Sequence, residues 1–318
     1  MRIVVLDDYQ GCAFELADWS GIRAAHEAIA FSDHIADEDE LVRRLGAVDV
    51  LCIMRERTAI TKSLIAKLPT LKHIVTTGHV HAALDTKAAA ERGIVISTTA
   101  SSRYATAELT FGLVLALARQ IVAHHNSVQS GGWQLALGHD VRGKTLGIIG
   151  LGNLGAQVAG FGKAFGMNVV GWSQNLTDEQ AAKAGAKRVG KEEMFRTADY
   201  ITVHYKLSAR SQGIIGAQDI ALMKPTAYLI NTSRGPLIDE AAMISAIREG
   251  KIAGAGIDVF DEEPLPAGHF FRTSRKVIVT PHVGYVSHEN YVTYFIEMVE
   301  NIEGWLAGKP VRVAAVKA

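Results

Sequence analysis

Cysteine is scarce: the 318-residue chain has two, Cys12 and Cys52, far apart and outside any CxxC or Cys/His ligand spacing. A disulfide framework or a cysteine metal centre is therefore not expected, and a reducing compartment fits. Excess charge is missing too, since Lys+Arg and Asp+Glu both total 33 and no long basic run occurs. The strong electrostatic footprint of a nucleic-acid binder is absent. So are long apolar runs. The first run stops at Asp7-Asp8, too short for a signal-peptide core. Residues 109–118, bracketed by Glu108 and Arg119, reach about half of the ~20 residues of a membrane span. A cytoplasmic protein with no membrane and no nucleic-acid partner is the simplest expectation.

What is present is ordinary in bulk and ordered in detail. Hydrophobic residues make up 48% and charged residues 21%, and the length suggests two domains. In the first hundred residues, "RIVVLD", "AIAF", "DVLCIM", "KHIVTT" and "GIVIST" read as strands. Between them "ADEDELVRRLG", "TKSLIAKL" and "DTKAAAERG" have helical spacing, with Asp or Thr near their starts. The alternation predicts an α/β fold with parallel sheets. One long helix is expected from Tyr104 to near Ser130. A second strand–helix series then begins at "KTLGIIG" and runs through "MNVVGW", "YITVHY", "AYLINT", "AGAGIDVF" and "KVIVTP". The end, "ENYVTYFIEMVENIEGWLAG", reads as one amphipathic helix.

The series opens on "LGIIGLGNLGAQVAGFG", in which Gly150, Gly152 and Gly155 fall between an apolar strand and a helix. Gly150 permits the tight turn, Gly152 lets backbone approach a pyrophosphate, and Gly155 lets the helix pack close to the sheet. The helix start at Asn153 and Leu154 offers free N–H groups to phosphates. These five residues form the candidate dinucleotide turn. The acid that would hold the adenosine ribose is missing: after "NVVGW" stand Ser173, Gln174 and Asn175. A carboxylate there would repel a 2′-phosphate, yet no arginine is supplied to hold one. Ser173 and Gln174 suit either ribose, so the cofactor reads as NAD or NADP.

Three phrases follow in order, "NTSRGPLIDE", "GIDVFDEEPLP" and "VTPHVGY". With the glycine turn, the chain resembles the D-isomer-specific 2-hydroxyacid dehydrogenase family, whose motifs span nearly its whole length. The resemblance implies two doubly wound parallel-sheet domains with a cleft between them, a flavodoxin-like substrate domain and a Rossmann cofactor domain. It puts the substrate domain at residues 1–100, completed by 286–318, and the NAD(P)-binding domain at 101–285. It carries the family's arginine to Arg234, its glutamate to Glu263 and its histidine to His282. Asp258 matches an aspartate near the nicotinamide, Thr106 approaches the same ring, and His204 lies on a segment that passes the cofactor. A homodimer is implied, with the helix after Thr106 in its interface.

The residue types suit the chemistry on their own. Reducing a small 2-oxo acid needs a cation for its carboxylate, a hydride for its carbonyl carbon and a proton for its oxygen. A guanidinium fork such as Arg234 holds a carboxylate, and an imidazole such as His282 donates a proton near neutral pH. Glu263 on the other ring nitrogen would fix the tautomer and favour the charged ring. Singly, each side chain reads as a surface pair, a loop cap or a satisfied loop histidine. Together, all follow strands of one parallel sheet, where such folds bind ligands.

The resemblance is looser in "TTGHVHAALD". Gly78 and Asp85 are kept, but Val80 takes a usual glycine position. Gly78, His79 and Val80 are candidate substrate contacts, and His81 and Lys206 have no assigned role. Arg55 and Arg57 in "MRERT" follow a strand, and Arg55 is favoured as an anion contact. Two other readings stay open: a formate- or phosphite-type dehydrogenase on the same fold, and a non-enzymatic NAD(H)-sensing binding protein.

Overall fold

The computed structural model describes residues 1–315; the part of the expected substrate domain at 316–318 lies outside them. The chain divides into two compact units, Met1–Ser102 with Val286–Ala318, and Arg103–Tyr285.

The first unit is a five-stranded parallel sheet of β1 (Arg2–Val5), β2 (Glu27–Ala30), β3 (Val50–Ile53), β4 (His73–Thr76) and β5 (Val95–Thr98). Its order is β2-β1-β3-β4-β5. β3 and β4 are buried at every residue, which is why β3 reads as an unbroken apolar run rather than as alternation. The connecting helices start where a short polar side chain satisfies a free N–H. Asp37 accepts from the Glu40 N–H, Thr61 from Leu64 and Asp85 from Ala88. The helix His288–Leu306 buries Tyr291, Tyr294, Phe295, Met298 and Ile302, and packs against β4 and β5.

A buried polar chain ties the tail to this sheet. The His73 ring is fully buried and stacks on Trp305, with centroids 5.1 Å apart. Its Nε2 meets Ser97 Oγ at 3.0 Å, and that hydroxyl reaches the Val311 carbonyl. Burial pushes the imidazole pKa down to about 4. His73 is thus neutral in the fold, whereas the unfolded chain takes up a proton below about pH 6.5. Its contribution is present above that value and lost as pH falls towards 4, by up to roughly 3 kcal/mol. Urea unfolding should therefore show stability dropping across pH 6.5 to 4 in the wild type, and dropping less steeply in His73→Gln.

The second unit is a seven-stranded parallel sheet. Its strands are β6 (Thr145–Ile149), β7 (Asn168–Trp172), β8 (Lys187–Arg188), β9 (Tyr200–Val203), β10 (Tyr228–Asn231), β11 (Gly254–Ile257) and β12 (Val277–Val279). The order is β12-β11-β10-β9-β6-β7-β8, so both halves wind outward from the β6/β9 boundary. Alternate residues of one strand feed two cores. Leu146 and Ile148 join a cluster with Phe111, Val114 and Val158, while Ile149 joins one with Val203, Leu229 and Ile257. The short strand β8 had no apolar run to announce it.

The single helix expected from Tyr104 to Ser130 is instead two, Ala105–Ala118 and Ile121–Gln129, bent by 66°. Gln120 takes a left-handed conformation (φ 51°) at the break. The cause is burial: the first helix buries Ala107, Phe111, Leu113, Val114 and Leu117, whereas the second buries no residue and leaves the core. No single helix among the described residues is long and apolar enough to cross a membrane.

Candidate active site

The second sheet sets out its candidate residues along one edge. At the carboxyl ends of its strands the order is His282 after β12, Asp258 and Glu263 after β11, Arg234 after β10, His204 after β9, Gly150 after β6 and Ser173 after β7. Loops there are close to one another because neighbouring parallel strands are about 4.8 Å apart.

The glycine turn sits at the β6/β9 boundary, where the winding direction changes. Gly150 has φ +93°, and a Cβ on it would lie 2.6 Å from the His204 carbonyl oxygen. Gly155 is equally constrained, since a Cβ there would lie 2.2 Å from the Gly150 carbonyl oxygen. Gly152 differs: its Cβ would meet nothing within 4 Å. Two glycines are thus required by the protein itself, and the third borders open space. The helix Asn153–Ala164 starts here without a side-chain cap, which leaves its first N–H groups to a ligand. His204 Nε2 is buried with no hydrogen-bond partner among the described residues, and burial pushes that imidazole down to about 4.

After β7, Ser173 is already engaged, because its Oγ accepts the Leu151 N–H at 3.2 Å. The Gln174 N–H points to the Tyr205 hydroxyl at 3.3 Å, and the Tyr205 ring stacks on Trp172. Tyr205 escaped the sequence reading; it approaches this edge only because β9 lies on the other side of β6. Lys206 is exposed, and its carbonyl accepts from Ser211.

At the other end, His282 Nδ1 lies 2.6 Å from Glu263 Oε2. The other oxygen of Glu263 accepts the Phe260 N–H at 2.9 Å, so the carboxylate is held from behind. With Nδ1 on Glu263, Nε2 is the nitrogen left for proton exchange with a ligand. Glu263 is the acid that pairs, rather than Glu262 or Asp261. Burial, with Glu240 and Asp239 nearby, raises the Asp261 carboxyl above its usual range. The segment carrying Glu263 packs directly on the one carrying Arg234: a Cβ on Gly235 would lie 2.2 Å from the Phe260 carbonyl carbon. Asn231 supports the same loop, donating to the Arg234 carbonyl and accepting the Ser233 N–H.

Asp258 is fully buried. Its Oδ1 accepts from Thr280 Oγ1 at 2.5 Å and the Val283 N–H at 2.8 Å, and Oδ2 from the Gly284 N–H at 2.9 Å. Thr106 Oγ1 donates to the Gly284 carbonyl at 3.0 Å. Neither Thr280 nor the Thr110–Thr232 hydroxyl contact at 2.6 Å was found in the sequence.

The remaining candidates lie in the first unit. Arg55 follows β3 in a left-handed conformation (φ 55°), and its guanidinium fills the space where Gly78 has no side chain. Arg57 is the structural one of the two, donating to the Asp7 carbonyl and the Tyr291 hydroxyl. The Gly78 N–H is committed to Thr99 Oγ1 at 2.8 Å. The N–H groups of His79 and Val80 make no such bond among the described residues.

Residues 111–284 match the profile of the D-isomer specific 2-hydroxyacid dehydrogenase NAD binding domain. The chain is 40% identical over 276 residues to a D-3-phosphoglycerate dehydrogenase of Methanocaldococcus jannaschii, covering 86% of this chain and 52% of that protein. It therefore spans about half the length of that relative. A glyoxylate reductase of Thermococcus litoralis is 37% identical, with 78% of each chain covered. Among solved structures, a putative D-3-phosphoglycerate dehydrogenase from Ralstonia solanacearum superposes with a TM-score of 0.93 at 36% identity, covering 98% of this chain and 96% of that one.

Proposed function

The chain belongs to the D-isomer specific 2-hydroxyacid dehydrogenase family, and from that membership we propose that it interconverts a small 2-oxo acid and its D-2-hydroxy acid with NAD or NADP. In this reading Arg234 binds the substrate carboxylate and polarises the adjacent carbonyl. His282 Nε2 gives a proton to the carbonyl oxygen in reduction and takes it back in oxidation. Glu263 holds the ring in one tautomer and balances the charge that the imidazole gains and loses. Gly150, Gly152, Asn153, Leu154 and Gly155 hold the pyrophosphate, with Ser173 and Gln174 at the ribose. His204, Thr106 and Asp258 line the dinucleotide's path. The bound nicotinamide supplies the hydride; the side chains supply placement and electrostatics. On the first unit, Arg55, Gly78, His79 and Val80 are the residues we assign to substrate contact.

The observation that carries this reading is the 2.6 Å contact between His282 and Glu263. Formate oxidation yields carbon dioxide and a hydride with no proton to move, so it has no use for a carboxylate-backed imidazole. Purified protein should consume NADH or NADPH in the presence of glyoxylate, hydroxypyruvate or another small 2-oxo acid. Turnover of formate with no turnover of any 2-oxo acid would replace this reading with the formate one.

We further infer a homodimer in the cytoplasm, where the free thiols Cys12 and Cys52 meet reducing conditions. Support for the dimer comes from the apolar surface after the helix break. Trp133 is 74% exposed, Leu137 89%, Leu135 60% and Ile121 53%. Such a patch marks an interaction surface. Light scattering should give twice the chain mass for the wild type and the single chain mass for the double variant Trp133→Asp, Leu137→Asp.

A further inference from the structure

We propose that Glu56 sets the substrate class of this chain. By balancing Arg55 it leaves the loops of the first unit without positive charge to spare. A 2-oxo acid whose only anionic group is its carboxylate is accepted, and one with a second anionic group, a phosphate or another carboxylate, is disfavoured. This rests on the 2-oxo acid reading above and on Arg55 as one of its substrate contacts.

Arg55 is held in place rather than left loose. It follows β3 with φ 55°, a conformation that few residues with side chains adopt. Its main-chain N–H donates to Thr77 Oγ1 at 2.9 Å. Its guanidinium lies over Gly78, where a Cβ would stand 2.1 Å from Nη1, and Nη1 reaches the Thr77 carbonyl at 3.5 Å. On the other side, Nε lies 3.6 Å from Glu56 Oε2. The two side chains are only 20% and 22% exposed, so solvent and salt screen this pair less than one on open surface. The anion contact therefore carries its own counter-charge.

The neighbouring loops add no cation for a second anion. In segments 6–19, 31–37, 54–61, 77–85 and 99–102, which follow the strands of this sheet, the only Lys or Arg residues are Arg55 and Arg57. Arg57 is engaged on the Asp7 carbonyl and the Tyr291 hydroxyl, with its guanidinium 4.4 Å from the centre of the Tyr9 ring. Carboxylates outnumber the arginines. Asp7 and Asp8 are buried just after β1. Asp7 Oδ2 accepts from Thr58 Oγ1 and Oδ1 meets His34 Nδ1, while Asp8 accepts the Cys12 and Ala13 N–H groups. Recognition of a phosphate or a second carboxylate draws on guanidinium or ammonium groups whose charge is not already balanced. Here each arginine already faces an acceptor, and a carboxylate stands beside the one assigned to substrate. Such a repulsive element separates ligands that share every other feature.

The test measures kcat/KM for hydroxypyruvate and for 3-phosphohydroxypyruvate, which differ by the phosphate, in the wild type, Glu56→Gln and Glu56→Asp. The wild type should favour hydroxypyruvate by about tenfold or more, and Glu56→Gln should narrow that ratio about tenfold. Glu56→Asp keeps the charge and should keep a ratio near that of the wild type. A general loss of turnover affects both substrates alike and leaves the ratio in place. An unchanged ratio in Glu56→Gln, or a wild type that prefers 3-phosphohydroxypyruvate, would overturn the proposal while the 2-oxo acid reading stands. If Glu56→Gln does not fold, salt decides on the wild type. Added salt screens repulsion, so the phosphorylated substrate should gain on the other, and a loss or no change would contradict the proposal. If the wild type reduces no 2-oxo acid, the functional reading fails, and calorimetric titration with inorganic phosphate decides the charge argument. Binding about tenfold tighter in Glu56→Gln upholds it, and equal affinities remove it.

Discussion

His282→Ala is expected to lower kcat for 2-oxo acid reduction by about 10²–10⁴-fold, the usual contribution of a positioned general acid. The imidazole has its Nδ1 on Glu263, so removing it strands a half-buried carboxylate without taking anything from the glycine turn. Binding of the reduced cofactor, followed by its fluorescence, should therefore stay close to wild type. Arg234→Met should fail differently. In the proposed mechanism it removes the cation for the carboxylate, so KM for the oxo acid should rise as well as kcat falling, with cofactor binding again retained. The pair of outcomes separates a proton donor from a substrate anchor. Activity intact in both variants would remove both roles.

Gly150→Ala is expected to be nearly as damaging, by another route. At φ +93° any side chain is strained, and the added Cβ would stand 2.6 Å from the His204 carbonyl oxygen, a main-chain atom with no room to move. Strain and overlap together cost roughly 2–5 kcal/mol. Urea unfolding should show that loss directly, and dinucleotide binding should fall with it. Gly152→Ala is the informative contrast. Its Cβ meets nothing within 4 Å, so stability should be unchanged, while cofactor affinity should drop if the proposed pyrophosphate contact is made there. Equal destabilisation in both variants would argue that the turn serves the fold alone.

These contrasts show what the sequence could and could not convey. The turn at Gly150 was legible because backbone conformation and close approach each demand glycine, and the surrounding strand and helix confirm the setting. His282 and Glu263 were legible as residue types placed after strands of one parallel sheet. The helix break at Gln120 was not: "ALARQIVAHH" keeps helical composition throughout, and only the loss of a surface to bury turns the chain. Ser173 could be found as a departure, but its hydrogen bond to the Leu151 N–H depends on how β6 and β7 align. Thr280 left no trace, since nothing in "VIVTPH" says that its hydroxyl reaches back to Asp258. Arg55 and Arg57 look alike in "MRERT", and only the contacts of Arg57 with Asp7 and Tyr291 tell them apart.

The pH dependence of kcat/KM, measured in both directions on the wild type, addresses the proton chemistry most directly. In the proposed mechanism reduction uses the protonated ring of His282 and oxidation the neutral ring, so the two profiles should slope in opposite directions. Profiles that are flat, or that run in the same direction, would contradict an imidazole at this position as the group that moves the proton.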